Sequence, residues 1–182
     1  MRHTTPAPLA AFAATAALCA ALAACSDDSE DEKYRSEPPK LANILVSPLD
    51  GHTSIRAGER FVATAVQSQT GRNIYKATYV WTASAANGTG TATSKQNKSV
   101  AVYDNDSGDA TDTIIVTEAG KYTLTFTGEY RPGGSTTYWI KKNGNTLTES
   151  LADGGTANYY AGATLFRIKA ERTINVLPAS AD

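Results

Sequence analysis

The sequence predicts an all-β domain: an antiparallel β-sandwich of about seven short strands with an inserted hairpin segment. Three observations predict it. Between Asp112 and Tyr130 the chain alternates. Tyr122, Leu124, Phe126 and Tyr130 point one way; Lys121, Thr123, Thr125, Thr127 and Glu129 point the other. A period of two belongs to a strand with one buried face. Turn-forming Gly, Asn, Asp and Pro recur about every ten residues, and no long helix is required between them. Composition is the third: 24 threonines and nine tyrosines among 182 residues suit solvated sheet surfaces.

Residues 1–24 stand apart from this domain. Arg2 and His3 give a polar start, and Ala10 to Ala24 is apolar and uncharged but shorter than a spanning helix. The run closes on Leu22-Ala23-Ala24-Cys25, a tetrad that resembles a bacterial lipobox. The resemblance implies a cleaved lipoprotein signal peptide and a lipidated Cys25, so that acyl chains hold the protein to a membrane. Cys19 leaves with the signal, and no thiol remains for a disulfide. Residues 25–40 read as the lipidated cysteine and a disordered acidic tether. There are six acids against two bases from Ser26 to Glu37, no hydrophobic periodicity, and then Pro38-Pro39. Acids directly behind the cysteine resemble the export signal of surface-exposed lipoproteins of Gram-negative bacteria. This implies an outer-membrane, cell-surface location; a solvated spacer under the membrane is the other reading.

Residues 41–178 are the folded domain, and 179–182 a tail. Between residues 38 and 181 there are 14 bases and 11 acids, a scattered surplus too weak to indicate nucleic acid as a partner. Leu41 to Ser47 reads as the first strand, with Ile44 and Val46 on one face, stopped by Pro48, Asp50 and Gly51. Phe61 to Val66 is the second. Tyr75 to Ala83 is the third, with Tyr75, Ala77, Tyr79, Trp81 and Ala83 expected on one face. A polar loop leads to a short strand, Ser99 to Tyr103. Asp112 to Tyr130 supplies two strands around a corner at Gly120. Arg131 to Gly162 is rich in turns, and Tyr138-Trp139-Ile140 before Asn143-Gly144 reads as a hairpin. In the last strand, Ala163 to Leu177, Phe166, Ile168, Ala170, Ile174 and Val176 share a face that Arg172 interrupts.

Glu118-x-Gly120-x-Tyr122-x-Leu124 resembles the corner before strand F of immunoglobulin-like domains. There the tyrosine hydroxyl pins the corner to backbone. Trp81 matches the family's core tryptophan. Ala65 and Leu124 stand where antibody domains carry their disulfide, which makes this a cysteine-free variant. AGKYTLTFTG and the closing RTINV are most similar to the PKD-like branch found in bacterial surface lipoproteins. The resemblance covers Leu41 to Tyr130 and Ala163 to Leu177. Residues 131–162 have no counterpart in it.

Chemistry-bearing residues are few. His52 is the only histidine after the signal, and it sits in a turn. No nucleophile elbow, phosphate loop or dinucleotide fingerprint occurs, and no cofactor or enzyme activity is expected. Asp104, Asp106, Asp109 and Asp112 alternate through a Gly-bearing loop and are candidate Ca²⁺ ligands. The other reading of this loop is a polar connection between strands, capped by Asx turns. Tyr138, Trp139, Tyr159 and Tyr160 gather aromatics in the inserted segment, where flat rings with polar edges suit a glycan or protein surface. Packing of the insertion onto the sandwich would use them as well. The expected function is a non-catalytic, lipid-anchored surface module binding a glycan or protein. The alternative is an architectural envelope spacer, and a small carbohydrate-active enzyme comes third.

Overall fold

The computed structural model of the protein describes residues 34–49, 51–86, 96–101 (backbone) and 110–180. Cys25, Asp104, Asp106 and Asp109 lie outside the described residues. The elements in chain order are β1 (Lys40–Pro48), β2 (Arg60–Gln69), β3 (Ile74–Ala85), β4 (Gln96–Ala101), β5 (Ala110–Ile115), β6 (Gly120–Pro132), helix α1 (Thr137–Asn143), β7 (Thr146–Ser150), β8 (Thr156–Ala161) and β9 (Phe166–Val176). Among the described residues the strands form two antiparallel sheets, a three-stranded one in the order β1-β2-β5 and a six-stranded one in the order β4-β3-β6-β9-β8-β7. The result is the β-sandwich that the alternation predicts, and it is compatible with an immunoglobulin-like domain.

The core lies between the sheets and is filled by the inward positions of each strand. Phe61, Ala63 and Ala65 come from β2, Tyr79 and Trp81 from β3, Tyr122, Leu124 and Phe126 from β6, and Phe166, Ile168 and Ala170 from β9. Trp81 and Phe126 meet at 5.1 Å between ring centroids. β5 and β6 are consecutive but belong to different sheets, so the chain crosses the core edge at residues 116–119. The Tyr122 hydroxyl donates to the Glu118 carbonyl at 3.0 Å and ties this corner down.

Two local departures have physical causes. β3 is bulged. Ile74 pairs Pro132 and Lys76 pairs Arg131, which leaves Tyr75 as an extra residue. The phase therefore slips: Ile74 is buried, and Tyr75, expected inward, is 57% exposed. Asn143-Gly144 does not turn a hairpin. Thr137–Asn143 is helical, although no helix was required by the sequence pattern. Asn143 Nδ2 donates to the Trp139 carbonyl at 3.2 Å, and Gly144, at φ 79°, donates its N–H to Ile140 and ends the helix. Lys141 and Lys142 lie in the last turn, where the helix dipole favours cations. The hairpin of the insertion is β7–β8, turning at residues 151–155.

Candidate interaction site at the inserted segment

Between β6 and β9 the chain leaves the sheet, forms α1, and returns as two strands added outside β9. β9, an edge strand in the basic pattern, is therefore interior. The β7–β8 turn also reaches across to the other sheet. The Ile44 N–H donates to Asp153 Oδ2 at 2.8 Å, and the Ala152 N–H donates to the Ala42 carbonyl at 3.0 Å. Arg172, the inward charge of β9, donates to the Ile44 carbonyl and sits 3.6 Å from Asp153. Together these groups present donor and acceptor to β1 as another strand would, and they cover an edge otherwise open to pairing.

The segment before β1 is docked too. The tether expected as far as Lys40 gives way at Tyr34 to a strap laid along the insertion. Ser36 N–H donates to Ser135 O at 2.8 Å, and Ser135 N–H to Tyr34 O at 2.6 Å. Glu37 and Arg72 exchange backbone bonds of 3.0 and 2.9 Å. The buried Ser36 hydroxyl donates to Asn73 O and accepts from Gly134 N–H. A Cβ on Gly134 would run into the Tyr34 carbonyl oxygen, so only glycine lets the strap approach. Hydrophobic periodicity carries no trace of these contacts, because side-chain and backbone polar groups make them.

The strap, α1, β7 and β8 enclose a cleft of about 130 Å³, lined in part by Pro39, Lys40, Trp139, Lys142, Glu149 and Tyr159. Lys40 and Glu149 pair across it at 3.1 Å. The Tyr159 hydroxyl accepts the Leu41 N–H at 2.9 Å. Burial pushes the Tyr159 phenol up to about 12; the Leu41 N–H works against that shift, and Glu149, by charge and hydrogen bond, works with it. Burial raises Tyr130 as well, with Tyr159 and Tyr79 adding to the shift. The cleft is smaller than the ~300–1,000 Å³ of sites that enclose a drug-sized ligand. It has room for waters or the tip of a ligand.

The four aromatic residues of the expected contact surface are thereby divided. Trp139 is 7% exposed and meets Phe166 edge-on at 6.0 Å; Tyr159 is also buried. Tyr138 is 36% exposed, with the Arg35 guanidinium 3.4 Å above its ring. Tyr160, 46% exposed, points from β8 to the opposite face of the sheet from Tyr159. Alternation along β8 forces that split, since neighbouring residues of a strand face opposite ways.

Of the candidate calcium ligands, Asp112 is described. It lies on β5, paired with Ala63, and its carboxylate accepts the Thr113 N–H at 2.7 Å. Among the described residues no group of three or more His, Cys, Asp or Glu side chains could hold a metal ion. His52 is exposed, 3.9 Å from Glu59. Lys40, Glu149, Asp153 and Arg172, which organise the cleft and the covered edge, carry no sequence signal beyond Asp153 standing in a Gly-rich turn and Arg172 interrupting an apolar face. Compared with family models, with curated proteins and with solved structures, the chain matches none of them.

Proposed function

We propose that the protein is a lipid-anchored component of a bacterial outer membrane, displayed at the cell surface, whose PKD-like module works as a non-catalytic architectural piece. The lipobox-like tetrad ending at Cys25 supports the anchor, and the AGKYTLTFTG and RTINV segments support the PKD-like kinship. One observation carries the architectural role: Trp139 and Tyr159, two of the rings that would offer a ligand their faces, are packed inside. A ring buried that deeply holds the insertion to the sandwich and has no face left for a sugar.

Binding of a glycan or protein is the second reading, and Tyr160 favours it. Its exposed ring shares the outer sheet face with the Arg167–Glu129 pair and the Thr148–Asn158 hydrogen bond, a flat, polar surface with one aromatic platform. Fractionation tests the anchor: Cys25→Ala should release the domain from membranes, and a variant that stays with them ends the lipoprotein reading. Adhesion to polysaccharide or host glycoprotein separates the two roles. Tyr160→Ala should leave adhesion unchanged for an architectural module; a loss at unchanged stability makes binding the function.

A further inference from the structure

We propose that the end of the sandwich from which the chain leaves toward Cys25 docks on an anionic lipid headgroup surface. The inference rests on the lipid-anchor reading above. Because the strap is bonded down from Tyr34 onward, only the eight residues 26–33 separate it from the lipidated position. Fully extended, they span about 30 Å at most. The end that holds the strap, namely the β2–β3 turn, the last rung of β3–β6 and the start of the insertion, is thus the end a membrane would meet.

Its surface has the chemistry of a headgroup-level contact. Tyr34 is 61% exposed, and the bulge turns Tyr75 outward. Folding gains little from an exposed tyrosine on a bulge, whereas an amphipathic ring suits the boundary between acyl chains and water. Tyr138 stands nearby beneath Arg35. Lys76 lies directly opposite Arg131 in the ladder, both exposed, and Arg72 is exposed in the adjoining turn. Like charges on facing rungs destabilise a sheet, and an anionic surface would turn that arrangement into a gain. Among the described residues, the acids nearby are committed elsewhere: Glu129 pairs with Arg167 on the sheet face, and Glu37 is half-buried in the strap. The opposite end, around residues 56–60 and 116–121, mixes Glu59 and Glu118 with Arg56, Arg60 and Lys121 and carries no exposed tyrosine.

The test uses the chain from Ser26 onward, which keeps every described contact because these begin at Tyr34. It is sedimented with vesicles of phosphatidylcholine, with and without phosphatidylglycerol, at low and high salt. Binding should require phosphatidylglycerol and weaken with salt. Lys76→Glu should reduce it by roughly tenfold or more. The same change sets opposite charges facing each other across β3 and β6, so the urea midpoint should hold or rise while binding falls, an outcome that misfolding could not give. Tyr75→Ser should weaken binding at an unchanged midpoint. No binding, or binding that Lys76→Glu leaves intact, overturns the proposal. Binding that appears only once Asp27, Asp28, Glu30, Asp31 and Glu32 are neutralised would assign this end to the chain's own acidic linker, and overturns it too. The mass of the mature protein keeps the two readings apart. A lipidated chain whose domain ignores vesicles sinks the docking alone, while an unlipidated one removes the reason for this end to face a membrane.

Discussion

The seven strands of the basic sandwich and the inserted segment solve one problem by different means. In β2, β6 and β9 apolar residues recur at alternate positions, broken in β9 at Arg172, and burial follows that alternation. Backbone groups there are satisfied by neighbouring strands. The insertion has a short helix, two short strands and a turn that meets another sheet. It is fastened by polar groups aimed at backbone: Ser36 at Asn73 and Gly134, Asp153 at Ile44, Tyr159 at Leu41. Each such bond is worth little net, but removing one partner strands a buried group without water, which costs more than the bond contributed. A region of this kind is specified by individual residues, where the sandwich is specified by a pattern.

The largest expected effect asks whether the two regions share one core. Trp139 is the insertion's main apolar contribution and lies edge-on against Phe166 of β9. Trp139→Ala should cost about 3–5 kcal/mol, read as a lower urea midpoint with a single transition. A drop below about 1 kcal/mol, or a separate early transition, would mean that the insertion is an appendage with its own stability.

The same contrast explains what the sequence made legible. Period-two alternation locates the core strands, and the tyrosine and glycine of Glu118-x-Gly120-x-Tyr122 mark the corner between sheets. Tyr75 defeats the pattern because one bulge residue reverses the phase of everything before it. Asn143-Gly144 misleads because a glycine at positive φ can end a helix as readily as it closes a hairpin. The strap is invisible to hydrophobic patterning, since its contacts are hydroxyl and backbone bonds to residues far away in sequence. The aromatic quartet was legible as a concentration of rings, but not as two inward and two outward. For Tyr159 and Tyr160 that division followed from strand phase alone; for Trp139 it required knowing that the segment was helical.

A second prediction concerns Tyr159. Tyr159→Phe keeps the ring and leaves the Leu41 N–H, itself buried, without an acceptor. The cost should be about 1–3 kcal/mol at neutral pH. The pH dependence has a definite sign. The folded phenol, pushed up to about 12, stays neutral while the unfolded one ionises near 10. Its contribution to stability is therefore full below pH 10 and is lost as pH rises toward 12. The gap between wild type and variant should narrow over that window by up to about 1.4 kcal/mol per pH unit. A gap that stays constant from pH 9 to 11 would show that Glu149 and burial do not hold the proton as described.

The smallest effect belongs to the matching hydroxyl in the sandwich. Tyr122 and Tyr159 are both buried, and each ties its ring to a backbone group through its oxygen. The direction of the bond differs. Tyr159 accepts from a buried N–H, which has one proton to place. Tyr122 donates to the carbonyl of Glu118, a residue that is exposed. A carbonyl at the surface recovers a hydrogen bond from water once the hydroxyl is gone, so what remains is the loss of the bond and not the stranding of a polar group. Tyr122→Phe should therefore cost about 0.5–1.5 kcal/mol, less than Tyr159→Phe under the same conditions. Paired urea titrations of the two variants at pH 7 decide it. A corner variant that loses as much as the insertion variant would mean that the Glu118 carbonyl is shielded in solution, and that the crossing between sheets is held as tightly as the clamp on β1.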